Sequence, residues 1–448
     1  MLPRQEPQIS VGILTHNKIV FELYGVFHVP GVKESLSGVQ TVEIVNEKLV
    51  CKSAKNKIES DDEILFEPAD PESESFVIRD VVIGLKFHWE RKEKLRFNYS
   101  LKIIKDSDKI IAINLLPLEK YLASVISSEM SAKCSLEMLK AQAVVARSWI
   151  LSQMEKSNSI KKTKLNYESE TKIESEIIKW YDREDHKLFD VCADDHCQRY
   201  QGITKITSET SRKAVRQTRG IVLTSDGKIC DTRYSKCCGG ITEAFENVWE
   251  PVKHKYMSSL FDYKYEPENF NADFSNEENA RKWITGKPSS FCNTNDIKIL
   301  QQILIDYDRE TKDFFRWKVV YKQKEITDII REKSGFDFGD IIDLQPLERG
   351  SSARLIKLKI VGTKKTLTIG KELEIRRMLS KTHLYSSAIV TDKVGKGIPD
   401  EFIIYGAGWG HGVGLCQIGA AVMAEKGFMF DEIVLHYFLN AKLTRTYL

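Results

Sequence analysis

The chain has 448 residues, enough for roughly two to three domains and a sizeable core. It is 42% hydrophobic and 29% charged, with 25 Gly and 11 Pro, which is typical of a soluble globular protein and excludes collagenous or disordered classes. Because 67 Lys and Arg nearly balance 64 Asp and Glu, the formal net charge is only +3, and nucleic acid is not an expected partner.

The search for targeting signals and the pattern of cysteines further restrict the class of protein. No segment approaches the ~20 apolar residues that a membrane-spanning helix needs. No secretory signal is visible in the N-terminal region, because the short apolar run Ile9 to Leu14 is followed by polar residues. The cysteines number nine, an odd count, and several lie near histidines, which favours a metal site or free thiols over a disulfide framework.

Residues 1–115 are predicted to form a β-rich N-terminal region. Short alternating or apolar runs occur from Gln8 to Leu115 and are separated by polar turns. Inside this region, the Asp-, Glu-, Pro- and Ser-rich stretch Glu59 to Glu74 is predicted to be an exposed loop.

Helical periodicity begins at Leu116. Two amphipathic helices are predicted from two apolar stripes. The first stripe is Leu118, Tyr121, Leu122, Val125 and Ile126, and the second is Leu136, Leu139, Ala143, Ala146 and Ile150. Ser135 is the predicted N-cap of the second helix. Strands are predicted at Leu355 to Ile360 and Leu367 to Ile369, and a closing helix carries Phe430, Ile433, Val434, Tyr437 and Phe438. The expected fold class is α+β: a helical-plus-sheet core, residues 116–250 and 346–448, with an inserted subdomain at 251–345.

Glu129 is the most informative carboxylate. It lies eleven residues beyond Leu118, about three helical turns, and so continues the apolar stripe of the first helix. Burial there would disfavour the charged form and raise its pKa, as a general acid requires. Alternatively, the helix ends at Ser127 or Ser128 and Glu129 points into water.

A loop at residues 186–200 is a candidate metal site. His186, Cys192, His196 and Cys197 place two imidazoles and two thiols within a dozen residues, a ligand set that suits Zn²⁺. The spacing is not that of a standard zinc finger. A site that uses three of the four residues plus water or substrate is also consistent with the sequence. A local disulfide, or two buried thiols beside an exposed histidine, is the alternative to a metal site.

A second group of candidates surrounds Cys237 and Cys238. These thiols could pair with Cys230, complete a metal site, or belong to a tight turn before Gly239 and Gly240. The preceding Tyr234 and Ser235 place two hydroxyls at a strand end, a common position for substrate contacts.

The glycine-rich segment Gly406 to Gly414 does not fit a nucleotide-binding loop. It supplies neither Gly-x-Gly-x-x-Gly nor a P-loop ending. Alternating glycines instead allow sharp turns and close backbone approach, with Trp409 and His411 projecting, which suits a sugar ligand. A glycine-packed strand with a core histidine is the competing interpretation.

Four motifs together resemble the family of stage II sporulation protein D and the amidase enhancers (SpoIID/LytB). They occur in family order, with Gly239, Gly240, Thr242 and Glu243 matching the family's Gly-Gly-x-Thr-Glu turn, and the resemblance covers Ile9 to Tyr437, least well in the inserted subdomain. The motifs are Leu116-Pro-Leu-Glu-Lys-Tyr121, Ser128-Glu-Met130, Leu139-Lys-Ala-Gln-Ala-Val-Val-Ala-Arg147 and Gly408-Trp-Gly-His-Gly-Val-Gly-Leu-Cys-Gln417.

The resemblance implies a bacterial lytic transglycosylase that acts on peptidoglycan glycan strands and forms 1,6-anhydro-muramic ends, with Glu129 as the catalytic residue. It implies a cell-envelope or periplasmic location and raises the expectation of zinc on the Cys/His loop. The expected substrate contacts are Tyr234, Ser235, Trp409, His411 and Gln417. The chain departs from the family pattern at Ser131, where proline is common, and at Cys416, where serine is more typical.

Two rival functions remain open. The same fold could serve as a non-catalytic, glycan-binding amidase enhancer that stimulates a cell-wall amidase. The absent leader and the free thiols would also suit an intracellular zinc protein unrelated to the wall.

Overall fold

The computed structural model describes residues 2–54, 56–84, 90–131, 133–163, 169–180, 186–194, 196–206, 208–267, 270–304 and 313–448, with backbone only at 158–163. The chain forms two compact units. The first comprises Met1–Ala132, Asp185–Ile221 and Arg445–Leu448, and the second comprises Lys133–Glu184 and Val222–Thr444. The four-part division expected from the sequence stays a prediction.

The N-terminal region is rich in β structure, as predicted. Its strands alternate buried and exposed side chains; in β2, for example, Ile19, Phe21 and Leu23 are buried. The strands are β1 (Gln8–His16), β2 (Lys18–His28), β3 (Leu36–Val45), β4 (Lys48–Lys52), β5 (Lys57–Ser60), β6 (Glu63–Pro68), β7 (Ser75–Ile83), β8 (Arg91–Asn98), β9 (Ser100–Asp106) and β10 (Lys109–Pro117).

The prediction of an exposed loop at Glu59 to Glu74 is wrong in part, because strand β6 lies within this stretch. Ile64 and Phe66 are buried and alternate with the more exposed Glu63, Leu65 and Glu67, and β6 pairs with both β9 and β2. The acidic composition of the stretch concealed this two-residue period.

The two predicted helices are present as α1 (Leu118–Glu129) and α2 (Leu136–Thr163). Every residue of the first predicted stripe is fully buried. The Ser135 hydroxyl accepts a hydrogen bond from the Met138 N–H at 3.3 Å, which confirms the N-cap. α1 extends to Glu129, beyond the alternative end at Ser127 or Ser128.

The remaining elements mix short strands and helices, and the fold class is α+β as predicted. They are β11 (Glu170–Ile173), β12 (Glu176–Lys179), β13 (Val191–Cys192), α3 (Glu209–Gln217), β14 (Ile221–Ser225), β15 (Lys228–Ile229), β16 (Tyr234–Ser235), α4 (Phe245–Val248), α5 (Glu277–Thr285), α6 (Ile297–Ile303), β17 (Arg316–Lys322), α7 (Gln323–Ser334), β18 (Ile341–Arg349), β19 (Leu355–Gly362), β20 (Thr366–Gly370), α8 (Glu372–Met378), β21 (Ile389–Val394), β22 (Glu401–Ala407), β23 (Leu415–Cys416), α9 (Gln417–Glu425), α10 (Phe430–Tyr437) and β24 (Lys442–Arg445).

Pairing joins the first unit into an eleven-stranded sheet in the order β13-β1-β10-β9-β6-β2-β3-β4-β5, with β7 on β2 and β8 on β7. β13 pairs in parallel with β1, which attaches Val191 and Cys192, within the loop at residues 186–200, to the sheet. The other strands form four smaller sheets: β11-β12-β20-β19-β18, β15-β14-β24, β17-β22-β21 and β16-β23. Among the described helices, none combines the length and apolar character that a bilayer crossing requires.

The closing helix α10 offers a direct test of its predicted apolar face. Ile433 is fully buried, whereas Leu435 on the same helix is 40% exposed. Ile433→Ala should lower the free energy of unfolding by about 2–5 kcal/mol, because it leaves a cavity. Leu435→Ala should cost less than about 1 kcal/mol. Urea unfolding of both variants checks this, and equal losses would contradict the assigned face.

Candidate functional site

Glu129 is the last residue of α1, and its side chain is buried. Only 8% of the residue is exposed, which agrees with the continued apolar stripe and not with a carboxylate pointing into water. The backbone N–H of Arg199 donates a hydrogen bond to Glu129 Oε1 at 3.2 Å. A buried carboxyl group is thereby held in one orientation by a backbone donor from a distant segment.

The segment 198–202 contacts α1 along its length through a series of hydrogen bonds. Tyr121 donates its hydroxyl to Gln198 Oε1 at 3.1 Å, and Ser124 donates to the Gly202 carbonyl at 2.7 Å. The Gln201 N–H donates to Ser128 Oγ at 3.3 Å. These bonds fix the position of the segment that contacts Glu129.

The Cys/His cluster, composed of His186, Cys192, His196 and Cys197, lies immediately before this segment. All four possible ligand atoms lie within 4.8 Å of one another. Cys197 Sγ is 3.3 Å from His186 Nε2 and 3.5 Å from His196 Nδ1, and Cys192 Sγ is 3.9 Å from His196 Nδ1. The structure thus brings together the four residues predicted as metal ligands.

The sheet and an aromatic contact position the Cys/His cluster. Gly12 pairs with Cys192 across β1 and β13, and the Ser10 hydroxyl donates to Asp190 Oδ2 at 2.6 Å. Phe189 stacks on the His186 ring with centroids 4.6 Å apart. A side chain at Gly12 would begin 2.6 Å from the Phe189 ring, so glycine is needed for this close approach.

These donor atoms fit a tetrahedral zinc ion. With Zn–S near 2.3 Å and Zn–N near 2.0–2.1 Å, adjacent sulfur and nitrogen ligands should be about 3.5 Å apart. A hydrogen bond from Cys197 lowers the pKa of the Cys192 thiol against the opposing effect of burial, and His186 and His196 lower it further. All nine cysteines are free thiols, so the disulfide alternatives are not adopted.

The predicted sugar contacts belong to the second unit, where strand pairing brings them together. β16 pairs in parallel with β23, which places Tyr234 opposite Leu415 and Ser235 opposite Cys416. Cys237 forms an antiparallel bridge with Trp409. The end of β16 and the glycine-rich segment therefore form one structural element. Their positions, far apart in the sequence, did not indicate this.

The glycine-rich segment wraps around a buried arginine. Gly408, Gly410, Gly412 and Gly414 all have positive φ, between 71° and 93°. Arg354, 1% exposed, donates to the Gly410 carbonyl from Nε at 3.3 Å and from Nη2 at 3.2 Å. The glycines permit this left-handed backbone and its close approach to the guanidinium group.

Trp409 and His411 extend from this segment in different environments. Trp409 stacks on Phe314 with ring centroids 4.8 Å apart and planes 12° apart. His411 Nδ1 accepts a hydrogen bond from the Val413 N–H at 3.0 Å. Burial, and then the Arg233 guanidinium, hold the pKa of His411 well below its usual range, so its ring is neutral at neutral pH.

Two buried polar side-chain atoms belong to residues in or beside this element. Ser235 Oγ and Gln417 Nε2 have no hydrogen-bond partner among the described residues, although their residues are only 7% and 2% exposed. Unpaired buried polar atoms are costly and are commonly satisfied by water or a ligand. Both belong to the predicted set of substrate contacts.

No sequence motif indicated a cavity of about 640 Å³ in the second unit, which is lined mainly by charged and polar residues. Its lining includes Lys156, Asp231 and Glu250, and Lys156 Nζ lies 2.7 Å from Asp231 Oδ2 and 3.1 Å from Glu250 Oε1. Although burial raises the pKa of Asp231, Arg233 and Lys156 lower it to about 2. None of the predicted sugar contacts lines this cavity.

Comparison with known proteins confirms the resemblance. Residues 106–225 match the family model described as "Stage II sporulation protein". Residues 243–414 match a model described as a domain of unknown function, DUF8618. The first match contains Glu129 and the Cys/His cluster, and the second contains the whole glycine-rich segment Gly406 to Gly414.

Curated relatives are similar over most of this chain. An amidase enhancer of Bacillus subtilis is 26% identical over 335 residues, 72% of this chain but 40% of its own length, so this chain spans less than half of that relative. Stage II sporulation protein D of Bacillus amyloliquefaciens is 22% identical, covering 74% of this chain and 76% of its own length. An uncharacterised protein of Brachyspira hyodysenteriae is 26% identical, and the similarity covers 76% of this chain and 70% of that protein.

The packing of the glycine-rich segment on Arg354 can be tested with matched alanine variants. A Cβ at Gly412 would lie 2.4 Å from Arg354 Cζ, whereas Gly397, with a similar φ of +73°, has open space around it. Gly397→Ala should cost about 1 kcal/mol of backbone strain. Gly412→Ala should cost about 1–3 kcal/mol more, because the buried arginine must move. Equal midpoints of thermal unfolding would contradict the packing.

Proposed function

We propose that this chain is a lytic transglycosylase that cleaves peptidoglycan glycan strands in the cell envelope, a proposal supported by the match of residues 106–225 to the Stage II sporulation protein family model. The observation that carries the proposal is the buried Glu129 carboxyl group, held by the Arg199 N–H. The relatives, an amidase enhancer and a stage II sporulation protein D, support a role connected with the cell wall.

In the proposed reaction Glu129 acts first as acid and then as base. Its carboxylic acid protonates the glycosidic oxygen of the leaving sugar. The resulting carboxylate then removes the proton from the muramic C6 hydroxyl as that oxygen bonds to C1, which closes the 1,6-anhydro ring. One carboxyl group therefore suffices, unlike the pair that hydrolytic glycosidases use.

The Arg199 N–H gives this carboxyl group a fixed orientation. A backbone donor can bond a carboxyl oxygen in both the acid and the carboxylate form, so the side chain keeps its position through both proton transfers. Orientation of this kind contributes to the rate because the reacting atoms must lie within hydrogen-bond reach.

We further propose that the Cys/His cluster holds zinc in a structural role. The ion would bind His186, Cys192, His196 and Cys197 and keep the loop in one conformation. Arg199 follows Cys197 by two residues, so an ordered loop also fixes the N–H that contacts Glu129. The proposal assigns no chemical step to the ion.

The second candidate function is that of a non-catalytic amidase enhancer. It is favoured by the relative that carries this name. In this function the chain would bind glycan strands and stimulate a cell-wall amidase, and Glu129 would not be needed to break a glycosidic bond.

Substitution of Glu129 separates these functions. Peptide-free glycan strands incubated with the wild-type protein should shorten, and Glu129→Gln should reduce the rate about 10²–10⁴-fold because the amide cannot donate the proton. Glu119→Gln is the matched control: it changes a buried carboxylate on the same helix whose Oε1 accepts hydrogen bonds from the Tyr447 hydroxyl and the Gly220 N–H. Chromatography of strand lengths measures both rates.

Two outcomes would contradict the enzymatic proposal. Strands that bind the wild-type protein but stay uncut, together with a stimulated amidase, would support the enhancer function. Cleavage at the wild-type rate by a folded Glu129→Gln variant would assign the acid to another residue.

The structural role of the proposed zinc predicts a link between metal content and activity. Cys197→Ala should remove about one equivalent of zinc and lower the cleavage rate by about 10–100-fold through the displaced Arg199 segment. The control Cys51→Ser, which changes a buried thiol elsewhere in the first unit, should alter neither quantity. Full activity in metal-free Cys197→Ala would contradict this role.

A further inference from the structure

A second group of potential ligands lies in the interior of the second unit. This buried Cys/Asp cluster comprises Cys238, Asp262, Cys292 and Cys416, whose ligand atoms lie within 4.8 Å of one another. No member is more than 2% exposed. The cluster draws one cysteine from the Cys-Cys-Gly-Gly turn, one from the end of β23, and two residues from the predicted inserted subdomain.

We propose that the buried Cys/Asp cluster binds one zinc ion, in addition to any ion on the Cys/His cluster. Cys238 Sγ lies 3.5 Å from Cys292 Sγ and 3.3 Å from Asp262 Oδ2. A tetrahedral zinc site requires about 3.8 Å between two sulfurs and about 3.6 Å between sulfur and oxygen. Three thiolates and one carboxylate suit this borderline-soft ion.

Backbone and hydroxyl donors surround the sulfurs. The Cys238 N–H donates to Cys416 Sγ at 3.2 Å, and the Gly240 N–H donates to Cys238 Sγ at 3.4 Å. Ser290 Oγ lies 3.1 Å from Cys292 Sγ. Hydrogen bonds of this kind favour the thiolate form, which is the form that binds metals.

The carboxylate of Asp262 is also oriented from outside the cluster. Its Oδ1 accepts a hydrogen bond from the Tyr437 hydroxyl at 2.8 Å, and His436 Nε2 lies 3.4 Å away. Its other oxygen, Oδ2, faces Cys238 Sγ. This division, with one oxygen toward the ligands and the other held by outer side chains, is the arrangement that orients a metal-binding carboxylate.

Two arginines offset the charge of the proposed site. Three thiolates, one carboxylate and Zn²⁺ sum to a formal charge of −2, which is costly to bury without compensation. Arg354 Nη1 donates to the Cys238 carbonyl at 3.1 Å, and Arg316 Nη1 donates to the Gly239 carbonyl at 3.0 Å. Both guanidinium groups therefore lie beside the turn that carries the first ligand.

The ion would connect segments that bear the predicted sugar contacts. Cys416 precedes Gln417, and Cys238 follows Ser235 by three residues. Asp262 and Cys292 would join the predicted inserted subdomain to this element. Cys416, at a position where serine is more typical of the family that the chain resembles, supplies the third thiol of the proposed site.

Metal analysis of the full chain tests the site without relying on activity. The double variant C192A/C197A removes the Cys/His cluster as a zinc site. Purified with zinc supplementation and dialysed, it should retain about one zinc per chain. Adding Cys292→Ser or Cys416→Ser to this double variant should reduce the zinc content to below about one tenth of an ion per chain. Adding Cys230→Ser, a buried thiol outside the buried Cys/Asp cluster, should leave it unchanged.

Cobalt exchange covers the case in which a cysteine variant does not fold. The folded double variant loaded with Co²⁺ should show tetrahedral visible bands and an intense sulfur-to-cobalt absorption in the near ultraviolet. Absence of both zinc and this absorption would overturn the proposal. A Cys238–Cys292 disulfide in peptide mass spectra of the unreduced chain would also overturn it, since those thiols would then be unable to bind the ion.

Discussion

The hydrogen bond from the Arg199 N–H to Glu129 Oε1 is the interaction on which the proposed active site depends. It exists because α1 carries its apolar stripe to its last residue, and because segment 198–202 is bonded along that helix through Tyr121, Ser124 and Ser128. Sheet pairing at β13 fixes the position of Cys192 in the Cys/His cluster, and the cluster is followed directly by this segment. A buried acid, its donor and four ligand residues thus share one local framework.

The second unit is constrained by a different buried group, the guanidinium of Arg354. The glycine-rich segment surrounds it in a backbone conformation that other residues rarely adopt, and the same arginine donates to the Cys238 carbonyl. Strand pairing of β16 with β23 places Ser235 opposite Cys416, the residue before Gln417. Ser235 Oγ and Gln417 Nε2 have no hydrogen-bond partner among the residues that the structure describes. The glycines therefore serve packing on a buried cation, while the same loop presents residues suited to a polar ligand.

Local patterns in the sequence predicted local structure well. The stripes of α1 and α2, the Ser135 cap and the four residues of the Cys/His cluster follow from short spacing, and all are present. Periodicity alone left Glu129 undecided, because its burial depends on Arg199, 70 residues away. Likewise, nothing in the spacing of Asp262 and Cys292 indicated that the fold places them beside Cys238. Long-range convergence of this kind depends on tertiary packing rather than on propensity.

Isotope incorporation tests the central claim most directly. In the proposed reaction the muramic C6 hydroxyl, not water, attacks C1 after Glu129 protonates the leaving oxygen. Glycan strands cleaved in H₂¹⁸O should therefore give new 1,6-anhydro ends that contain no solvent oxygen by mass spectrometry. One ¹⁸O atom in each new end would show that water is the nucleophile, which would require a second catalytic group and contradict the assignment of Glu129 as the sole acid and base.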